Sequence, residues 1–221
     1  MKTPKQFYKK IKAEGLSKLK SSKRHNKELE HILQIINKKQ NILDLGCGYG
    51  RITAPLAKKG YKIEGIDLVP TLIKEARKNA KEQKIKIIFK IGDMRELPYK
   101  NDSFDVILCL WSAFNELTIK SDQIRTIKDM LRILKKGGFV FIDLPSHLNK
   151  KIAKKQGLTG RYVLKKNLSV TNFNGIESMP QYLHTSKTLI NLMKICKIRE
   201  YKIKISKFGG RKRLILQFWK F

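Results

Sequence analysis

Long apolar runs are absent from this chain of 221 residues. No stretch of about 18 consecutive apolar residues occurs, which excludes a typical membrane-spanning helix. The first residues, M-K-T-P-K-Q-F-Y-K-K, lack the apolar stretch that a signal peptide needs. We therefore expect a cytoplasmic protein, and the length is that of one medium-sized domain.

Cysteine is also scarce. Cys47, Cys109 and Cys196 are odd in number and widely spaced, and none belongs to a C-x-x-C pair. This pattern excludes a disulfide framework and a cysteine-based metal site, and it predicts reduced thiols.

Acidic residues are few, with 18 Asp and Glu against 49 Lys and Arg, and their distribution is uneven. Residues 1–40 contain 12 basic and 3 acidic residues, residues 41–144 contain 19 and 13, and residues 145–221 contain 18 and 2. Basic flanks of this kind attract polyanions such as RNA. Because lysine, isoleucine and asparagine are all common, as in proteins from AT-rich genomes, a merely solvated lysine surface is the alternative.

The most informative stretch is N-I-L-D-L-G-C-G-Y-G-R-I-T, residues 41–53. Residues 42–45 predict a short buried strand, the alternating glycines a tight turn, and the residues from Arg51 onward a helix. Glycine lets the main chain approach a ligand closely, and a helix start offers free N–H groups. A strand, a ligand-binding turn and a helix in this order are typical of a doubly wound α/β fold.

The spacing of the glycines excludes two ligand classes. A dinucleotide-binding G-x-G-x-x-G would need glycine where Arg51 stands, and the G-K-[ST] of a phosphate-binding P-loop is absent. The run D-L-G-C-G-Y-G, residues 44–50, instead resembles motif I of class I S-adenosylmethionine (SAM) methyltransferases. The acid, the three glycines and the apolar strand before them make the resemblance specific.

Two further strand ends resemble the same family. Asp67 closes the second predicted strand 21 residues after Gly46 and resembles the motif II acid, which binds the ribose hydroxyls; the alternative is that it caps the next helix. The G-D-M of residues 92–94 resembles motif III, which reads the adenine. The resemblance implies cofactor contacts from Asp44, Gly46, Cys47, Gly48, Gly50, Asp67, Leu68, Asp93, Met94 and Leu110.

The resemblance covers residues 41–144 by motif and 186–221 by pattern. It implies an α/β fold with a seven-stranded, mostly parallel, doubly wound sheet and an antiparallel last strand. A single domain, 1–221, would comprise a helical arm (1–40), a cofactor-binding core (41–144), a substrate-side insertion (145–185), and a C-terminal helix and hairpin (186–221). In this family, such an arm often lies over the cofactor, so Tyr8 either reaches the site or only packs.

Local patterns add detail to these segments. The polar stretch 18–27 predicts a connection inside the arm, and Ser121 predicts an N-cap. Lys135 to Gly138 predicts a helix end before a strand over 139–143. The alternation in residues 161–164 and 168–173 predicts a strand pair in the insertion, and Gly209-Gly210 a hairpin turn.

Methyl transfer mainly requires alignment of the reactants, and a general base only when the acceptor must lose a proton. The base candidates at the carboxyl edge of the sheet are Glu116, Asp143 and His147, with His184 at the end of the insertion. Each has a simpler reading as a capping or surface group. The residues after the fourth strand, C-L-W-S-A-F-N-E, lack the [DN]-P-P-[YFW] of amino-group methyltransferases and the Pro-Cys of cytosine C5 enzymes. No metal site is expected.

The expected function is methyl transfer from SAM to an acceptor that the sequence does not specify, with a small molecule favoured. Methylation of RNA, notably tRNA, is the alternative that the basic flanks favour, although no RNA-binding module is visible. A catalytically silent SAM-fold protein that binds nucleic acid is a third reading, which the intact motifs oppose.

Overall fold

A computed structural model describes residues 3–18, 21–145, 160–165, 167–173, 176–177 and 179–221. The helices are α1 Pro4–Lys18, α2 Ser22–Leu33, α3 Thr53–Lys58, α4 Pro70–Glu82, α5 Lys120–Ile133 and α6 Ser186–Ile195, with a short 3₁₀ helix Ala113–Glu116. The strands are β1 Asn41–Leu45, β2 Lys62–Asp67, β3 Ile88–Ile91, β4 Phe104–Cys109, β5 Leu134–Pro145, β6 Gly160–Lys165, β7 Leu168–Phe173, β8 Ile176–Glu177, β9 Gln181–Tyr182, β10 Tyr201–Phe208 and β11 Arg211–Trp219.

The main sheet has seven strands in the order β10-β11-β5-β4-β1-β2-β3. The pairs among β5, β4, β1, β2 and β3 are parallel, whereas β11 runs antiparallel to both β5 and β10. The predicted fold class is thereby confirmed. Because parallel strands need crossover connections, helices follow most of these strands, and the loops at the carboxyl ends of β1 to β4 meet along one edge of the sheet.

The core has one apolar layer on each face of the sheet. On one face, α5 and α6 cover alternate residues of the central strands, such as Leu43, Ile107 and Ile142. On the other face, the end of α2 and helix α3 cover the intervening positions, such as Ile42 and Leu108. Strands that are buried on both sides explain why β4 is a continuous apolar run in the sequence.

The N-terminal arm is more helical than the sequence predicts. Residues 18–27 were expected to form a connection, but α2 begins at Ser22, where the Ser21 side chain accepts a hydrogen bond from the Arg24 N–H. The first turns of α2 are largely solvent-exposed and so carry no apolar periodicity. Three apolar residues of α1, Phe7, Ile11 and Leu16, are buried.

The boundary between α5 and β5 also differs from the prediction. Ile119 is the N-cap of α5, and Ser121 lies inside the helix. The helix ends at Ile133, and β5 begins directly at Leu134, so Gly137 and Gly138 do not terminate a helix. Gly137 instead lies within β5 at φ +75°, and its N–H donates to the Lys220 carbonyl at 2.7 Å. The pairing of Leu134 with Phe104 of β4, which is distant in sequence, decides this boundary.

The strand pair predicted in the insertion is present as β6 and β7, and the short strands β8 and β9 complete a second sheet. This sheet is connected to the main domain near the carboxyl edge. The Asn115 side-chain amide donates to the Tyr182 carbonyl, and Met179 packs with Phe7 and Ile11 of α1. His147 and the lysines of residues 150–155 lie outside the described residues.

Cys47, Cys109 and Cys196 are buried free thiols. Among the helices that the structure describes, none has the length and apolar character needed to cross a bilayer.

The predicted hairpin turn at Gly209-Gly210 offers a stability test. Both glycines have positive φ, at +57° and +77°. A Cβ on Gly209 would lie 2.4 Å from Glu28 Cγ, whereas a Cβ on Gly210 would come no closer than 3.7 Å to Lys27 Cδ.

Both alanine variants should lose about 1 kcal/mol from left-handed backbone strain. Gly209→Ala should lose about 1–3 kcal/mol more from overpacking, because Glu28 is buried and ion-paired with Arg51. Chemical denaturation of the two variants measures the difference, and equal losses would contradict the packing role of Gly209.

Candidate active site

The predicted site residues come together at the carboxyl edge of the main sheet. The loops after β1, β2, β3 and β4 supply the glycine turn, Asp67, Asp93 and Trp111, respectively. Ligands of doubly wound folds bind at this edge, because the helix starts and free loop N–H groups gather there.

All three predicted loop glycines have positive φ: +77° at Gly46, +58° at Gly48 and +81° at Gly50. A Cβ on Gly46 would lie 2.7 Å from Ala113 Cβ, and one on Gly50 would lie 3.0 Å from the Phe89 ring. A Cβ on Gly48 would meet no atom within 4 Å. Gly46 and Gly50 are therefore required by packing, whereas Gly48 presents bare backbone to open space, where a ligand can approach.

Asp67 connects the glycine turn to the next helix. Its Oδ2 accepts the Gly48 N–H at 2.8 Å, and its Oδ1 accepts the Val69 N–H at 2.9 Å, one residue before α4. Burial raises the pKa of this carboxyl, although the backbone hydrogen bonds oppose the shift. Val69 is the N-cap of α4, and no described side chain caps this helix, so the predicted alternative that Asp67 caps it is wrong. Each Asp67 oxygen keeps a second lone pair for a ligand.

Asp44 and Cys47 point away from the open side of the turn. Asp44 is 3% exposed and accepts a 2.7 Å hydrogen bond from the Thr53 hydroxyl, which ties β1 to α3. Burial raises the pKa of Asp44 to about 6. The Cys47 thiol packs where a side chain on Gly65 would lie, and burial raises its pKa. Their side chains shape the turn, so any cofactor contact at these positions comes from the backbone.

Asp93 is engaged by a cation that the sequence analysis did not consider. The Arg95 guanidinium contacts both of its oxygens, at distances down to 2.6 Å, and also binds Asp122. Hydrogen bonding to Arg95 lowers the pKa of Asp93 and keeps it ionised. Met94, the neighbouring residue, lies beside the turn, with Cε 3.9 Å from the Cβ position of Gly46.

Leu68 and Leu110 differ in exposure. Leu68 is partly exposed between Asp67 and α4. Leu110 is buried and packs in the layer that α2 and α3 cover. Because the Leu110 side chain lies in the core, only its main chain is available for the predicted cofactor contact.

Trp111 and Ser112 form a strained turn that sequence reasoning missed. Their φ values are +51° and +70°, a conformation that costs about 1–3 kcal/mol per non-glycine residue. Asp143 holds this turn: its Oδ2 accepts the Trp111 N–H at 3.0 Å, and its carbonyl accepts the Ser112 N–H at 3.1 Å. Nothing in the letters W-S signals this conformation.

Both carboxylate oxygens of Asp143 accept hydrogen bonds from other groups of the protein. Asp143 is 1% exposed and pairs with Arg213, with Nε to Oδ1 at 2.5 Å and Nη2 to Oδ2 at 3.1 Å. Arg213 also donates to the Ser112 hydroxyl at 2.7 Å. With both oxygens engaged, the geometry gives Asp143 a positioning role and no support for the predicted role as a base.

Glu116 is the predicted candidate whose surroundings suit proton transfer. It ends the 3₁₀ helix whose first residue, Ala113, packs on Gly46. The Tyr8 hydroxyl of the N-terminal arm donates to its Oε1 at 2.5 Å. Burial, and to a lesser degree Asp67, raise the pKa of Glu116 to about 8, and the Tyr8 hydrogen bond limits the rise. Tyr8 was predicted either to reach the site or only to pack, and in the structure it reaches Glu116.

His184 is completely buried, between the rings of Phe114 and Tyr182. Burial lowers its pKa to about 3, so the ring is neutral at physiological pH. Its Nε2 has no hydrogen-bond partner among the described residues. Within the same part of the chain, no group of His, Cys, Asp and Glu could hold a metal ion.

Comparison with known proteins agrees with this geometry. Residues 42–138 match a family described as "Methyltransferase domain". The fold is similar to the crystal structure of a SAM-dependent methyltransferase from Methanosarcina mazei, with a TM-score of 0.68 and 23% identity, over 86% of this chain and 98% of that chain. Residues 42–138 are therefore similar to methyltransferase domains, and the fold of the chain is one that a SAM-dependent methyltransferase has.

Two curated relatives show how far the sequence similarity extends. YqeM of Bacillus subtilis is 36% identical over 108 residues, which are 49% of this chain and 43% of that protein. The ubiquinone biosynthesis O-methyltransferase of Coxiella burnetii is 33% identical over 108 residues, 49% of this chain and 44% of that protein. The matches span less than half the length of these relatives.

A matched control can test whether a ligand approaches the open space above Gly48. Gly137, within β5, also has positive φ (+75°) and also has no atom within 4 Å of its Cβ position. Both Gly48→Ala and Gly137→Ala should cost about 1–2 kcal/mol of stability from the same strain. Only Gly48→Ala should weaken binding of S-adenosylhomocysteine, by about tenfold or more, as measured by calorimetry. Equal affinity in the two variants would show that no ligand approaches Gly48.

Proposed function

We propose that the whole chain transfers a methyl group from SAM to a small-molecule acceptor. The observation that carries this proposal is the covering of the carboxyl edge. Helix α1 and the end of the insertion pack together over it through Phe7, Ile11 and Met179, and Tyr8 reaches down to Glu116. A covered site of this kind suits a small acceptor. The Coxiella burnetii relative, by its name, belongs to ubiquinone biosynthesis.

The residues present fit SAM. The open backbone at Gly48 would contact the methionine part, the free lone pairs of Asp67 the ribose hydroxyls, and Asp93 with the Met94 N–H the adenine. SAM supplies a methyl carbon that is already activated by its sulfonium, so the protein mainly has to align the acceptor. The strained Trp111-Ser112 turn and the 3₁₀ helix against Gly46 would form the wall on which the acceptor lies.

Glu116 is our candidate for the group that removes a proton from the acceptor. A carboxyl with a pKa near the working pH suits a general base, because it is partly ionised and still basic. Tyr8 orients it through the hydrogen bond to Oε1. An acceptor nitrogen or oxygen that must lose a proton would be served by this pair.

Methylation of RNA remains the second candidate, because residues 145–221 carry 18 basic and only 2 acidic residues. Against it, the described part of the insertion packs onto the arm and the 3₁₀ helix and covers the edge that a polynucleotide would have to reach.

The deciding experiment supplies radiolabelled SAM together with either a small-metabolite extract or total tRNA. We expect label in the metabolite fraction, and loss of that label in Asp67→Asn but not in Asp102→Asn. The control makes the same chemical change at an exposed carboxylate paired with Lys220. Label in tRNA that disappears with rising salt would replace the small-molecule proposal.

The raised pKa of Glu116 predicts a pH-dependent stability that needs no acceptor to observe. The native carboxyl, with its raised pKa, holds a proton up to about pH 8, whereas the carboxyl of an unfolded glutamate releases it near pH 4.5. The stability that Glu116 contributes is therefore present below about pH 4.5 and is lost as the pH rises through about 8. Relative to Glu116→Gln, the free energy of unfolding of the wild-type protein should fall between pH 5 and pH 9.

Tyr8→Phe refines this test. Because the tyrosine hydrogen bond lowers the pKa of Glu116, its removal should move the midpoint of the loss to a higher pH. Denaturation curves at a series of pH values measure both shifts. Parallel pH profiles for wild type and Glu116→Gln would show that the native carboxyl titrates normally.

A further inference from the structure

Two arginines, Arg51 and Arg213, contact the strained turn that follows β4. Arg211 lies close enough to Arg213 and Arg24 for their charges to act on it. We call Arg24, Arg51, Arg211 and Arg213 the arginine cluster. They come from the start of α2, the residue after the glycine turn, and the start of β11. Because β11 is antiparallel to β5, its first residues lie at the carboxyl edge of the parallel strands, next to the candidate active site.

Two members of the arginine cluster are fixed by buried partners. Arg51 donates to Glu28 at 2.8 Å, contacts His25 Nδ1 at 3.1 Å and lies over the Trp111 ring at 5.2 Å. Arg213 is fixed by Asp143 and Ser112, as described above. These contacts build a rigid wall along the turn at Trp111.

The other two members have no carboxylate partner among the described residues. Burial and the nearby charges of Arg24 and Arg213 lower the pKa of Arg211, and only Glu28 acts in the opposite direction. Glu28 already serves Arg51, with a side chain that is 7% exposed. Glu28 is engaged by Arg51 and Asp143 by Arg213, so the four arginines of the cluster have two carboxylates between them and keep an excess of positive charge.

The arginine cluster adjoins the reacting end of the site. Trp111 and Ser112, which contact Arg51 and Arg213, directly precede the 3₁₀ helix that packs on Gly46 and ends at Glu116. A molecule lying between Glu116 and the Trp111 turn would have its far end at the cluster.

Guanidinium groups bind carboxylates and phosphates through paired, charge-assisted hydrogen bonds. We propose that the arginine cluster binds an anionic group, a carboxylate or a phosphate, on the methyl acceptor. This inference rests on the proposed function and narrows it to small acceptors that carry a negative charge. Arg24 and Arg211, which have no carboxylate partner among the described residues, would donate the hydrogen bonds, and Arg51 and Arg213 would provide the fixed wall.

The test uses inorganic phosphate and acetate as probes, titrated into the full chain saturated with S-adenosylhomocysteine. The variant is Arg24→Gln with Arg211→Gln. The control is Lys81→Gln with Lys86→Gln, which removes the same charge from exposed positions at the opposite edge of the sheet. We expect the variant to bind the preferred anion about tenfold more weakly or worse, and the control to match wild type within about twofold.

The affinity for S-adenosylhomocysteine itself separates the other outcomes. The proposal requires it to stay within about twofold in the arginine variant, which also shows that the variant is folded. If this affinity falls and phosphate competes with S-adenosylhomocysteine, the cluster binds the carboxylate of the cofactor, and the proposal is wrong. An equal loss of anion binding in the arginine variant and the lysine control would show that only the net charge of the protein matters, and it would contradict the proposal. Failure of wild type to bind S-adenosylhomocysteine would instead contradict the proposed function.

Discussion

The buried ion pair between Asp143 and Arg213 is the interaction on which the acceptor side of the site depends. It joins β5 to β11, and through the same carboxylate and the Asp143 carbonyl it holds two consecutive residues in left-handed conformations. Removing one partner of such a pair leaves an unpaired buried charge, at a cost of about 3–5 kcal/mol. That cost is comparable with the strain of the turn, which is about 1–3 kcal/mol for each of Trp111 and Ser112.

On the cofactor side, Asp67 has the corresponding role. One carboxylate connects the glycine turn to the start of α4 by accepting a backbone N–H from each. The turn is further limited by packing, because Gly46 and Gly50 face Ala113 and Phe89 too closely for any side chain. A rigid turn with one open position presents its backbone to a ligand without having to rearrange, which lowers the entropic cost of binding.

The N-terminal arm and the insertion add contacts to the candidate site that the residues of the matched family, 42–138, do not supply. The N-terminal arm supplies Tyr8, which reaches Glu116, and the start of α2 supplies Arg24 and Glu28. The insertion supplies Met179 and Tyr182, which pack on the arm and the 3₁₀ helix. The matched family covers only residues 42–138, so these contacts lie outside it.

The sequence by itself determined the positions of the glycine turn, Asp67 and Asp93, because strand periodicity and glycine spacing are local properties. The seven-stranded sheet was predicted from the resemblance of these motifs to class I SAM methyltransferases. The sequence could not place the end of α5, because Leu134, the next residue, pairs with Phe104 of β4, 30 residues away. Nor could it show that Asp143 is ion-paired with Arg213, 70 residues away. It also could not show that Tyr8, 108 residues away, donates a hydrogen bond to Glu116. Only the tertiary structure brings such residues together, and burial then changes their chemistry.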